Sequence, residues 1–220
     1  MWFIFIGGNM KGYIFDMDGT LLDSLQAWHN IGNQYLESLG LKGADDLDEK
    51  LAHMALNDGA VYINERFHLN KTTNEIIEGV KQIVSHQYEE IIPLKPGVQD
   101  FLEKCHQKGY LMCVLTASDS LLAKKAFQRL GILDYFIDVY ACHEIGLNKT
   151  DPESYLSIAQ KMQLNKEDVI IVEDALHAIK TAKKAGFHVI AVYDQENQND
   201  WQEIKSIADE SYETLKRASV

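Results

Sequence analysis

Short apolar runs rich in β-formers punctuate the chain: GYIFD, YLMCVLTAS, YFIDVYACHEI, DVIIVEDA and FHVIAVYD. Between the later runs, apolar residues recur at three- and four-residue spacing instead. DSLLAKKAFQRLG has this helical period and stops at Gly131, and the Ala-rich ALHAIKTAKKAGF stops at Gly186. DPESYLSIAQKMQL opens with Asp151 placed as an N-cap and Pro152 at the first helical position. Strands alternating with helices predict βαβ units. The expected fold is therefore α/β: a Rossmann-like, doubly wound, mostly parallel sheet covered by helices on both faces.

One interval breaks this rhythm. Over residues 24–92 the periodicity is helical and no convincing strand is found. LQAWHNIGNQYLESLGL spaces Leu25, Trp28, Tyr35, Leu36 and Leu39 along one face, and NKTTNEIIEGVKQIVSHQYEEI predicts a long amphipathic helix. IPLKPGV, with its prolines and Gly97, marks the return to the sheet. The expected organisation is a sheet domain over 10–23 and 93–220, a helical domain inserted over 24–92, and an extra segment over 1–9. The opening MWFIFIGGNM is apolar but short, has no basic flank and no small-residue cleavage site, and is not read as a signal peptide. Met10-Lys11 would serve equally well as a start. Residues 1–9 are left as an extra strand, an accessory tail or the result of an upstream start.

Charge narrows the range of partners. The 220 residues carry 33 acidic against 21 basic side chains, a formal charge of -12. That field disfavours nucleic acid and anionic membranes, and an anionic ligand would need local cations to overcome it. No apolar run approaches the ~20 residues of a membrane helix. Three cysteines, Cys105, Cys113 and Cys142, form no CxxC pair, so a reduced, cytoplasmic setting is expected. A monomer or weak homodimer is the expected state.

The first strand ends in an unusual way, GYIFDMDGTLLDS. Residues two apart in an extended segment project to the same side, so Asp16 and Asp18 can face one point beyond the strand while Met17 turns away. A calcium loop is excluded because position twelve counted from Asp16 is Ala27, not a glutamate. Ligands of open parallel sheets bind at the carboxyl ends of the strands, and the other ends are polar too. The second closes on Thr116-Ala117-Ser118, Lys149 follows the third, and the fourth ends in Glu173-Asp174.

That inventory suits phosphoryl transfer. A carboxylate nucleophile is repelled by a phosphate ester, and a divalent cation with oxygen ligands removes the repulsion; Mg²⁺ is the best candidate. Asp16 would attack phosphorus in line to give an aspartyl-phosphate, and Asp18 would protonate the departing oxygen and later deprotonate the hydrolytic water. Asp16, Asp18 and Asp174 are the expected metal site, with Glu173 either a weaker ligand or a group that orients one. Met17, Thr116, Ala117 and Lys149 are the expected substrate contacts, through turn amides, a hydroxyl and an ammonium.

Four ordered segments, DMDGT, LTAS, K-T-D-P and VEDA, resemble the motifs of the haloacid dehalogenase-like superfamily, over Lys11 to about Val192. PGVQDFLEKCHQKGY and VEDALHAIKTAKKAGF resemble its phosphoglycolate phosphatase and β-phosphoglucomutase branch. The resemblance implies a nucleophile at Asp16, an acid/base at Asp18 whose main-chain carbonyl also meets Mg²⁺, phosphate contacts at Thr116 and Lys149, and a metal ligand at Asp174. It also implies that the 24–92 insert is a cap. Three departures bear on the activity. Thr150 replaces a common proline, which alters loop stiffness more than chemistry. The acid at Asp18 disfavours carbon–halogen cleavage. Trp28, with His29 one residue late, falls where mutase members place a cap histidine.

The expected activity is a Mg²⁺-dependent phosphatase acting on a small phosphorylated metabolite such as a sugar phosphate or phosphoglycolate. A phosphosugar mutase is the nearest rival. A phospho-accepting signalling domain uses similar groups, but there the acidic pair precedes the acceptor strand. Within the insert, Arg66 is read as a surface ion pair before a substrate contact, and Tyr62 as packing.

Overall fold

The computed structural model describes residues 11–24, 29–52 and 54–220. The readings made for residues 1–9, Leu25 and Trp28 lie outside the described residues. The chain divides into two compact units, one formed by Met1–Asp23 with Pro93–Val220 and the other by Ser24–Ile92.

In chain order, strand β1 (Gly12–Phe15) precedes the helices of the second unit: α1 (Ile31–Ser38), α2 (Leu47–Leu51), α3 (Leu56–Phe67) and α4 (Thr73–His86). A π-helical turn, Gln87–Ile91, continues α4. The first unit resumes with α5 (Val98–Gln107), β2 (Leu111–Thr116), α6 (Ser120–Arg129), β3 (Asp138–Ala141) and α7 (Pro152–Lys161). It closes with β4 (Val169–Glu173), α8 (Leu176–Ala185), β5 (His188–Val192), α9 (Trp201–Ile207) and β6 (Glu210–Tyr212).

The strands form one parallel sheet in the order β3-β2-β1-β4-β5-β6, the α/β architecture expected from the alternation of strands and helices. The order reverses direction beside β1, so β1 and β4 flank the switch point at which such sheets open a crevice. Register brings their ends level: Phe15 pairs with Val114 on one side and Val172 on the other. The Asp16 N–H extends the ladder one step further, donating to the Val172 carbonyl at 2.9 Å.

Alternation along β1 feeds two cores. Ile14 joins Cys113, Leu115, Ile171 and Val189 beneath α7, α8 and α9, whose Ile158, Ile179 and Ile204 are fully buried. Tyr13 and Phe15 point the other way into an aromatic cluster with Phe101 of α5, Phe127 of α6 and Phe136. Burying a strand on both faces is what allows it to be apolar throughout, as GYIF is.

The local signals act as the physics of caps requires. The Asp119 carboxylate accepts from the Leu121 and Leu122 N–H groups at the start of α6, and Asp151 accepts from Glu153 N–H at 3.0 Å at the start of α7. Gly186 ends α8 with φ 89°, a conformation costly for any other residue. In the Ser24–Ile92 unit, Thr72 and Glu75 form a reciprocal capping box on α4. Gly79 of α4 lies against the Tyr35 ring of α1, where an added Cβ would stand 2.4 Å from the ring.

Two elements differ from expectation. The run YFIDVYACHEI yields a strand of only four residues, because β3 is an edge strand paired on one side and Leu133–Tyr135 winds into a 3₁₀ turn before it. The sheet also gains a sixth strand, β6, whose polar Glu-Ser-Tyr carries no apolar run to announce it.

The approach to β6 is tied down by Asp209, whose carboxylate accepts from the Val189 N–H at 2.7 Å and from Lys183 Nζ at 2.6 Å. Burial works against its charge, but the Lys183 ammonium and the Val189 N–H outweigh it and lower the Asp209 pKa. A depressed carboxyl pKa stabilises the fold above the unfolded value and is lost as pH falls through the folded one. Asp209→Asn is therefore expected to cost about 1 kcal/mol, some 2–4 °C in Tm at pH 7 after solvent screening. Melting curves of wild type and variant are expected to converge as pH falls through the lowered Asp209 pKa, and a gap independent of pH would contradict the assignment.

Candidate active site

The site assembles at the carboxyl ends of β1 and β4. β1 delivers Asp16, 7% exposed, and the chain then turns through Asp18-Gly19-Thr20. Gly19 has φ 88°, and the Met17 carbonyl accepts from the Leu21 and Leu22 N–H groups to close the turn. β4 delivers Glu173 and Asp174, 1% and 2% exposed. Lys149, on the connection between β3 and α7, is 8% exposed and donates to Asp16 Oδ1 and, at 2.7 Å, to Glu173 Oε1.

Each carboxylate is held differently. Glu173 turns its second oxygen to the Asp174 and Ala175 N–H groups at 2.7 and 2.9 Å, so it fixes the turn that leads into α8 while pairing Lys149. Asp174 accepts from Thr20 Oγ1 at 2.9 Å on one oxygen and from Asn197 Nδ2 at 2.6 Å on the other. Asp16 Oδ2 is buried with no hydrogen-bond partner among the described residues. Oxygens of Asp16, Glu173 and Asp174 lie within 4.8 Å of one another.

The electrostatics follow from that crowding. Burial pushes the Asp16 carboxyl up to about 7, with the charges of Glu173 and Asp18 adding to it and Lys149 opposing. Asp174 is also raised well above the carboxylate range, by burial and by the neighbouring Glu173 and Asp16. Burial disfavours the Lys149 ammonium, yet the two carboxylates beside it outweigh that and hold its pKa well above the ordinary lysine value. With all four ionised, three carboxylates face one ammonium, an excess of two negative charges. A buried excess of that size, an all-oxygen donor set and an orphaned carboxylate oxygen together fit a hard divalent cation such as Mg²⁺.

The remaining predicted residues take these places. Asp18 Oδ2 accepts from Ser118 Oγ at 2.7 Å. The Thr116 hydroxyl is buried and accepts from the Ser118 N–H at 3.0 Å. Ala117 is exposed at the end of β2. The Met17 side chain is wholly buried, which leaves its main chain to meet a ligand. Arg66 pairs with Asp46 at 2.6 Å and donates to the Tyr62 hydroxyl at 2.8 Å, the surface ion pair expected of it. Thr20, Ser118 and Asn197 are contacts that the sequence reading did not assign. Thr20 and Ser118 sit inside the quoted motifs, whereas Asn197 lies in DQENQND, a polar stretch with no pattern.

A second grouping, Asp119, His143 and Glu144, is exposed. Asp119 is engaged as the α6 cap and Glu144 accepts from Ser120 Oγ at 2.7 Å. All three cysteines are free and buried, and no described helix is long and apolar enough to cross a membrane.

Comparison with known proteins gives concordant matches. Residues 13–192 match the family profile described as haloacid dehalogenase-like hydrolase. A phosphorylated carbohydrates phosphatase of Thermotoga maritima is 25% identical over 181 residues, covering 82% of this chain and 84% of that protein. A phosphoglycolate phosphatase of Vibrio vulnificus is 27% identical over 189 residues, covering 81% of each. Among solved structures, one described as a candidate β-phosphoglucomutase of Thermotoga maritima superposes with a TM-score of 0.82 at 22% identity, covering 94% of this chain and 95% of that one.

Proposed function

This chain belongs to the haloacid dehalogenase-like hydrolase family, and we propose that it is a Mg²⁺-dependent phosphatase of a small phosphorylated metabolite, of the sugar phosphate or phosphoglycolate type. The observation that carries the reading is the convergence of Asp16, Glu173 and Asp174 within 4.8 Å, around Lys149, with one Asp16 oxygen unpaired among the described residues. Relatives named as phosphatases of phosphorylated carbohydrates and of phosphoglycolate support the substrate class.

Asp16 and Asp174, with the main-chain carbonyl of Asp18, are the groups assigned to hold Mg²⁺; Glu173 orients Asp16 through Lys149 and meets Asp174 through its N–H. When bound, the ion offsets the negative charge that carboxylates and phosphate would otherwise bring together. Asp16 attacks phosphorus; its O–P bond forms as the ester P–O bond breaks. Asp18 gives its proton to the departing alkoxide, then accepts one from the water that cleaves the aspartyl-phosphate, so one residue serves both half-reactions. The Asp18–Ser118 hydrogen bond fixes the carboxyl that performs both transfers. Thr116 and Lys149, with the main chain at Met17 and Ala117, bind the non-reacting phosphate oxygens.

The test is phosphate release from a broad panel of phosphometabolites. Turnover of at least one sugar phosphate or of phosphoglycolate is expected with Mg²⁺, with loss to background in EDTA and recovery when Mg²⁺ is returned. Turnover that ignores the chelator contradicts the metal assignment. Isomerisation of a hexose 1-phosphate without net phosphate release would instead identify a mutase.

A further inference from the structure

We propose that Asn197 is a positioning residue for Asp174, presenting that carboxylate to the cation; this rests on the metal-site reading above. Both Asp174 oxygens are engaged by neutral donors from different parts of the chain, Thr20 Oγ1 from the turn after β1 and Asn197 Nδ2 from the turn after β5. Two such bonds fix the carboxylate plane and leave lone pairs on both oxygens for a metal. An amide does this without adding positive charge; an ammonium in its place would compete with the cation it is meant to help bind.

The turn carrying Asn197 is itself braced. Asp194 is buried, and its Oδ1 accepts from the Glu196 N–H at 3.0 Å while its carbonyl accepts from the Asn197 N–H at 3.2 Å. Its Oδ2 takes the Lys95 ammonium at 2.5 Å, and the same ammonium donates to the Tyr193 carbonyl at 2.8 Å. The Lys95 N–H in turn donates to the Leu21 carbonyl at 2.9 Å. A chain of contacts thus runs from the turn that bears Asp18 and Thr20, through Lys95 and Asp194, to Asn197 and back to Asp174. The Lys95–Asp194 pair is largely withdrawn from solvent, and pairs of this kind are weak evidence for stability, since a well-packed apolar pair often serves stability as well. Holding the Asn197 turn in register with Asp174 gives the pair a role besides stability.

Groups that orient a metal ligand are worth about 10–100-fold in metal affinity. The experiment is calorimetric titration of Mg²⁺ into EDTA-stripped full-length protein, comparing wild type, Asp174→Ala and Asn197→Leu, with melting curves recorded without metal. Asn197→Leu is expected to raise the Mg²⁺ Kd about tenfold or more. At saturating Mg²⁺ its kcat should recover most of the wild-type value, with substrate KM changed less than about twofold. A residue that merely stabilised the turn would lower Tm and leave the Kd of folded protein alone. Should the leucine variant not fold, Asn197→Ser, too short to reach Asp174, carries the same comparison. Wild type that binds Mg²⁺, loses it in Asp174→Ala and is matched within twofold by the Asn197 variant overturns the positioning role alone. Wild type that takes up no Mg²⁺ removes the metal-site reading, and this proposal with it.

Discussion

Asp16→Asn is expected to abolish turnover while leaving the protein folded, and at least as stable as wild type. The two halves of that expectation have one cause. Burial raises the Asp16 carboxyl to about 7 even with Lys149 beside it, so the ionised group is held at a cost the fold does not recover. An amide of the same shape escapes that cost, can turn its oxygen to Lys149 and can place its NH₂ where Oδ2 now lies unpaired. Chemically, however, the amide cannot open an O–P bond, and removal of a covalent nucleophile costs about 10⁴-fold or more in kcat. Three measurements on one preparation decide the matter: Tm, phosphate release, and phosphate label retained on acid-quenched chain. Wild type should retain label during turnover and the variant none. Phosphate release by the variant within tenfold of wild type would falsify the assignment of the nucleophile.

The same residues mark how far the sequence could be read. Asp16, Asp18, Lys149, Glu173 and Asp174 were legible because each stands where a short apolar run stops or a capped helix begins, and those signals are local. The parallel sheet followed from the alternation of periods, and the polar rim from the residues at the ends of the strands; the strand order, and with it the switch point beside β1, is given by the fold alone. What could not be read depends on where side chains turn once the strands are in register. DVIIVEDA places two acids at a strand end, but only the fold shows Glu173 turned toward Lys149 and the Asp174 and Ala175 amides while Asp174 reaches Thr20 and Asn197. Asp18 likewise sits two residues from Asp16, yet its carboxylate meets Ser118, 100 residues along the chain. Asn197 and β6 were silent for a simpler reason: both are in polar segments where no hydrophobic period exists to be read.

Lys149→Met tests the charge balance on which the site depends. The ammonium is the buried cation that Asp16 and Glu173 share. Methionine fills a similar volume but leaves three buried carboxylates without that partner. Removing one side of a buried ion pair costs about 3–5 kcal/mol, which for a chain of this size lowers Tm by about 10 °C. Unlike an ordinary core defect, this one should be partly reversed by Mg²⁺, because a divalent cation answers the same excess of negative charge. The Mg²⁺-dependent rise in Tm should therefore be larger in the variant than in wild type. Activity should stay low at any Mg²⁺ concentration, down about 10²–10³-fold, since the phosphate oxygen that Lys149 binds has lost its donor. Stability and turnover thus part company: the metal can restore the charge, and only the lysine can restore the contact. Equal Mg²⁺ stabilisation of the two proteins, or full recovery of kcat with excess Mg²⁺, would show that Lys149 is not the shared counter-charge of this site.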